Sequence, residues 1–127
     1  MKTWSLLLLS LFTVSIFAAD NKVQHVDPDG AAKLLEKGGI TIVDVRTKDE
    51  FSEGHLKGAV NIDILEPNFE QQLGKLDKNQ PVLVHCQAGG RSTRSLATFE
   101  KLGFSKIIHL DGGYGSWVES GKPVVKP

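Results

Sequence analysis

Hydrophobic positions along the chain fall into short runs of two kinds. Ile40-Thr41-Ile42-Val43-Asp44-Val45, Pro81-Val82-Leu83-Val84-His85 and Lys106-Ile107-Ile108-His109-Leu110 are nearly continuous and rich in β-branched residues. They predict strands buried on both faces. Ala59-Val60-Asn61-Ile62 predicts a shorter strand. Between them the apolar residues recur at helical spacing: Ala31, Leu34 and Leu35 behind Asp27-Pro28; Phe69, Leu73 and Leu76; and Leu96, Phe99 and Leu102 behind Ser92. Asp27 followed by proline reads as an N-cap with proline at the first helical position, and Gly103 ends the helix Ser92–Leu102. Short helices are expected near 48–53 and 114–120, the latter anchored by Trp117. Strands separated by helices require crossovers, so the expected fold class is α/β, a central, mostly parallel sheet with helices on both faces. Ligands of such sheets bind beyond the carboxyl ends of the strands.

The N-terminus has a different pattern. Lys2 precedes an apolar run through Leu6-Leu7-Leu8-Leu9 to Ala18-Ala19, after which Asp20-Asn21-Lys22 turns polar. The sixteen residues from Trp4 to Ala19 fall short of a bilayer span of about 20. The expectation is a signal peptide over 1–19, cleaved after Ala18 or Ala19, and one domain over 20–127 with its core at about 25–125. Ile16 or Phe17 stands where a small residue is preferred, and the alternative is an uncleaved membrane anchor. Cleavage implies an exported protein, in a bacterial periplasm, without stable membrane association.

At 127 residues the chain suits one domain. Lys+Arg and Asp+Glu both number 15, and the lysines are scattered, which argues against a nucleic-acid surface. The four histidines, at 25, 55, 85 and 109, lack close metal-ligand spacing, and one cysteine cannot build a structural zinc site. No metal is expected. Ala88-Gly89-Gly90-Arg91 is not a Walker loop, which needs Gly-Lys-Ser/Thr.

Cys86, the only cysteine, lies where a strand ends and a helix begins. Exported domains use cysteines in pairs, so a lone one in a glycine-rich turn points to chemistry rather than packing. The amides of Gln87 to Arg91, the helix N-terminus and the Arg91 guanidinium are placed to favour its thiolate. Gly89 and Gly90 let the backbone turn inward, and Ser92 is expected to cap the helix. Arg91 has a second possible role, tying the loop to an acidic neighbour such as Asp44. His85 is expected to be a buried hydrogen-bonding residue on the face opposite Cys86. The reading requires amides aimed at the sulfur and a thiol that solvent can reach.

Cys86-Gln87-Ala88-Gly89-Gly90-Arg91-Ser92 resembles the active-site loop of single-domain rhodaneses, which are thiosulfate sulfurtransferases. Ile42-Val43-Asp44-Val45-Arg46 with Glu50-Phe51 and Gly54-His55-Leu56-Lys57-Gly58-Ala59 resembles the first signature of that fold, and Leu110-Asp111-Gly112-Gly113-Tyr114-Gly115-Ser116-Trp117 the second. The resemblance implies a persulfide on Cys86, with Arg91 catalytic, Gln87, Ala88, Gly89, Gly90 and Ser92 as the binding loop, and Asp44, Arg46 and Glu50 in support. Asp44 would fix the loop from below while Arg46 and Glu50 pair. It implies a small-molecule sulfur donor and acceptor (cyanide or a thiol) and no cofactor beyond the covalent intermediate. Phosphatase-like and arsenate-reducing relatives place five residues between Cys and Arg; here four intervene. Two alternatives remain: a persulfide-binding or sensing module without turnover, and a phosphatase or arsenate reductase. Neutral Gln87 and Ala88 stand where some thiosulfate-preferring relatives carry cations, leaving the physiological donor open.

Overall fold

The computed structural model describes residues 23–127, so the expectations placed on 1–19 lie outside the described residues. Strands and helices alternate throughout: β1 (Val23–Val26), α1 (Pro28–Glu36), β2 (Thr41–Asp44), α2 (Lys48–Glu53), β3 (Val60–Asn61), α3 (Phe69–Leu73), β4 (Val82–His85), α4 (Gly90–Lys101), β5 (Ile107–Leu110) and α5 (Gly113–Glu119). The strands form one sheet in the order β1-β5-β4-β2-β3, and every neighbouring pair is parallel. The α/β expectation holds.

Local chemistry accounts for the elements. Asp27 accepts from the Gly30 amide at 2.7 Å to cap α1, with Pro28 at its first position. Thr47 and Glu50 form a reciprocal capping box on α2, a Thr-x-x-Glu signal visible in the sequence. Every residue of β4 is buried, and the faces alternate: Val82, Val84 and the following Cys86 join a cluster with Phe99, Phe104 and Leu73, while Leu83 joins one with Ala31, Ile108 and Trp117. The sheet therefore carries a core on each face, which is why its central strands read as continuous apolar runs.

Three elements differ from the sequence pattern. β1 was not expected as a strand: Val23-Gln24-His25-Val26 is apolar only at its ends, because an edge strand exposes its middle. α3 stops at Leu73, yet Leu76 still packs on the core from the following turn. α4 begins at Gly90, two residues before Ser92, because Gly89 adopts φ 106° and itself occupies the cap position.

The chain leaves β2 for the edge strand β3, then returns to β4 and continues to β5 on the other side. Crossovers from the adjacent strands β2 and β4 thus run in opposite directions, which opens a crevice at their carboxyl ends. Asp44 and Cys86 stand at that crevice. The loop after β4 is pinned by the first turn of α5: Tyr114 N donates to Cys86 O at 2.8 Å and Gly115 N to Gln87 O at 3.0 Å. Gly113 makes the approach possible. Its φ is +62°, and a Cβ there would lie 2.5 Å from Cys86 O and 2.7 Å from the Gln87 carbonyl carbon.

Gly113→Ala should therefore lower the unfolding free energy by about 1–3 kcal/mol from backbone strain alone, before any cost of displacing the loop. Urea denaturation reads the change; an unaltered midpoint would mean that α5 does not press on the cysteine loop.

Candidate functional site

Cys86 follows the last residue of β4, and the chain then curls back over it. The Gly89 amide donates to Cys86 Sγ at 3.0 Å, and the Ser92 hydroxyl lies 3.3 Å from the same sulfur. Burial works against the thiolate, but hydrogen bonds from the Ser92 hydroxyl and from the amides of Ser92, Gly89 and Ala88 outweigh it, so the thiol is held below its ordinary value. Of the amides expected from Gln87 to Arg91, those of Gly89 and Ala88 act on the sulfur, joined by that of Ser92. The other requirement is not met: Cys86 is only 1% exposed. The cause is the inward curl itself, since the donors that cradle the sulfur also cover it. Gln87, Ala88 and Gly90 form an exposed rim above it, and nothing lies within 4 Å of where a Gly90 Cβ would stand.

Ser92 does not cap the helix. Its hydroxyl is turned inward, within reach of Sγ, of Gly89 O at 3.2 Å and of His109 Nε2 at 2.7 Å. Thr93 instead donates to Gly89 O at 2.6 Å.

The expected pairing of Arg46 with Glu50 is also corrected. Arg46, 2% exposed, forks onto Asp44, with Nε 3.0 Å from Oδ1 and Nη2 2.8 Å from Oδ2. It also donates to Gly54 O at 2.7 Å and to Gln87 Oε1 at 3.2 Å, and its guanidinium lies 4.1 Å from the Tyr114 ring centre. Asp44 thus reaches the loop through Arg46 and Gln87. Burial explains the choice: Arg46 follows Asp44 by two positions, and a buried guanidinium needs the buried carboxylate there rather than the more exposed Glu50.

Glu50 is left for Arg91. Its two oxygens accept from Arg91 Nη1 at 2.7 Å and Nη2 at 2.9 Å, so Glu50, not Asp44, is the acidic neighbour that ties the loop. The hydrogen bond from Arg91 leads in holding the Glu50 carboxyl down at about 2, against partial burial and with help from Thr47. Arg91 is raised in turn, first by its hydrogen bond to Glu50, against the cost of burial, with attraction from the Cys86 thiolate and Asp63 adding. Arg91 touches Glu50 and acts on the sulfur only through its field.

His85 is fully buried and on the face opposite Cys86, as expected. Its Nδ1 donates to Cys86 O at 2.9 Å, and burial pushes its pKa down. Its Nε2 is the buried side-chain polar atom without a partner among the described residues. The histidines that sequence spacing kept apart do meet: His25, His109 and Asp111 converge beside Ser92. The signal is a His-x-Asp that runs off the end of β5, with a histidine at the same register of its neighbour, legible only once β1 is placed.

Arg46, Glu50, Glu53, Gly54, Gln87, Tyr114, Val118 and Lys126 line a cleft of about 340 Å³ beside the loop. A larger hollow of about 770 Å³, lined by Leu35, Ile42, Leu56 and Trp117 among others, includes none of the loop residues.

Residues 27–120 match the family described as Rhodanese-like domain. The chain is 33% identical over 95 residues to Thiosulfate sulfurtransferase 16, chloroplastic, of Arabidopsis thaliana, covering 67% of this chain and 79% of that protein. It is 31% identical over 115 residues to Protein HIGH ARSENIC CONTENT 1, mitochondrial, of the same plant, covering 83% and 68% respectively. Among solved structures, a rhodanese-related protein from Thermoplasma volcanium superposes with a TM-score of 0.73 at 26% identity, over 82% of this chain and 99% of that one.

The Glu50–Arg91 pair has a pH consequence. The folded state depresses the Glu50 pKa from 4.5 to about 2, so its contribution to stability is complete above about pH 4.5 and is lost as pH falls through 2. The pair is partly exposed, and screening holds its worth to roughly 0.2–1 kcal/mol. Glu50→Gln should lower the urea midpoint near neutral pH, with the difference from the parent closing toward pH 2. A gap that persists at pH 2 would place the effect elsewhere.

Proposed function

The chain belongs to the Rhodanese-like domain family, and on that premise we propose that it is a sulfurtransferase carrying a sulfane sulfur as a persulfide on Cys86. The observation that carries the reading is the Gly89 amide aimed at Cys86 Sγ with the Ser92 hydroxyl beside it. Donors arranged around a sulfur stabilise the anion that attacks and the persulfide anion that results.

In the first half-reaction the Cys86 thiolate attacks the outer sulfur of thiosulfate. A new S–S bond forms to Cys86, the old one breaks, and sulfite leaves with its electron pair. In the second, cyanide or a thiol attacks the outer persulfide sulfur, and the Cys86 thiolate leaves and is regenerated. Each half is a displacement at sulfur, needing no cofactor. The donor enters by way of the Gln87–Ala88–Gly90 rim, and since the sulfur is covered at rest, the loop parts for each transfer. Arg91 lends positive potential to an incoming anion, and Glu50 holds it in place. The reading keeps small-molecule donor and acceptor as the partners, and an exported location after cleavage near residue 19.

Four residues between Cys86 and Arg91 favour this chemistry over oxyanion hydrolysis or reduction. A shorter loop encloses a smaller ring of amides, suited to one sulfur atom rather than to a tetrahedral group. The relative named for high arsenic content makes arsenate a necessary control.

With thiosulfate and cyanide the protein should release thiocyanate, and Cys86→Ser should reduce turnover to background while the fold is kept. Incubation with thiosulfate alone should add the mass of one sulfur atom to the parent and none to Cys86→Ser. A persulfide without thiocyanate release would make the chain a carrier rather than an enzyme. Aryl phosphate hydrolysis or arsenate reduction without either would overturn the reading.

A further inference from the structure

Beside the sulfur cradle, His25 meets two side chains from the distant His109-Leu110-Asp111 segment. His25 and His109 are register partners on the parallel strands β1 and β5, so their side chains project from the same face. Asp111 follows His109 by two positions, the period of a strand, and joins them. His25 Nδ1 and His109 Nδ1 each lie 2.6 Å from Asp111 Oδ1, and the two nitrogens are 3.3 Å apart.

Zinc bound tetrahedrally at about 2.0–2.1 Å keeps its ligand atoms about 3.3 Å apart. The two nitrogens already have that spacing, and the carboxylate has to draw back by less than an ångström. His109 is buried, and its far nitrogen is held by Ser92 Oγ at 2.7 Å, the outer hydrogen bond that orients a metal-bound imidazole. His25 and Asp111 are 54% and 55% exposed, leaving the remaining coordination positions open to water.

We propose that His25, His109 and Asp111 bind a divalent transition metal of the zinc type, and that the ion sets the direction of the Ser92 hydrogen bond to Cys86. Two imidazoles and one carboxylate suit zinc, copper, nickel or iron rather than magnesium or calcium. The coupling follows from counting protons. A neutral imidazole carries one. Without metal, His109 holds it on Nδ1 for Asp111, so Nε2 is an acceptor that competes with Cys86 for the single Ser92 hydroxyl proton. A metal on Nδ1 moves the ring proton to Nε2. His109 then donates to Ser92 Oγ, and the hydroxyl proton is left for the sulfur, because Gly89 O, the other acceptor in reach at 3.2 Å, already accepts from the Thr93 amide and hydroxyl. The ring neither gains nor loses a proton overall, and nothing is oxidised or reduced. The coupling rests on the sulfur-transfer reading; the ion site does not.

The test uses the metal-stripped protein without an affinity tag, with Co2+ followed by absorbance and Zn2+ by calorimetry. Parent and Cys86→Ser should each bind one ion per chain. Binding should weaken at least about tenfold in His25→Gln and in Asp111→Asn, both exposed positions where circular dichroism verifies the fold. Zn2+ should raise Tm in the parent more than in those two variants. No saturable binding, binding indifferent to His25 and Asp111, or binding lost in Cys86→Ser would overturn the site. Zn2+ should also accelerate alkylation of Cys86 in the parent and not in His25→Gln; an unchanged or slower rate rejects the coupling. Because binding is read without turnover, failure of sulfur transfer and failure of the ion site are told apart.

Discussion

The hydrogen bond from the Gly89 amide to the Cys86 sulfur organises this molecule's chemistry. A sulfur anion removed from water is costly, and only nearby donors offset that cost. Gly89 can donate because its φ of 106° turns the chain back on itself at the start of α4. The turn stays closed because α5 holds the carbonyls of Cys86 and Gln87 from the other side. The two glycine-rich segments, 89–90 and 112–113, therefore act as one unit although one lies on the crossover after β4 and the other follows β5, the last strand. The donors that favour the anion also cover it, so the proposed transfer requires the loop to move.

Around that cradle the charged groups sort by depth. Asp44 and Arg46 are buried and joined by a forked pair, with further bonds to Gly54 and Gln87. Losing one member of such a pair strands a buried charge, at about 3–5 kcal/mol, so this pair locks the end of β2 against the loop. Glu50 and Arg91 sit nearer the surface, where screening makes their pairing worth less. Their value lies in placement: Arg91 keeps its charge close to the sulfur without touching it. A third group, Ser92 with His109, His25 and Asp111, connects the sulfur to the far edge of the sheet through hydrogen bonds of a hydroxyl and two imidazoles.

The fold was legible where physical signals are local. Continuous β-branched runs marked β2, β4 and β5, and proline and glycine punctuation marked α1 and the end of α4. The alternating order implied parallel pairing. Cys86 stood out because a lone thiol between a buried strand and a helix has few structural reasons to be there. What sequence could not supply was choice among partners. Nothing local says that Arg46 takes Asp44 and leaves Glu50 to Arg91, since both pairings join opposite charges near the same strand end. Ser92 has the residue type of a cap, but Gly89 in the left-handed region moves the helix start and leaves that hydroxyl turned inward. β1 carries no such signal because an edge strand lacks a continuous apolar run, and without β1 the meeting of His25 and His109 is not visible in the sequence. Burial of Cys86 is likewise a property of the folded loop rather than of any residue in it.

The account stands on an anion-favouring but covered thiol, and the pH profile of Cys86 alkylation in the native protein measures both properties at once. It predicts a single modified site whose rate rises with an apparent pKa below the roughly 8.5 of an unperturbed cysteine, at a rate slower than that of a free thiolate because the loop must part. A midpoint at or above that value, or a cysteine that reacts only after the protein is unfolded, would contradict it.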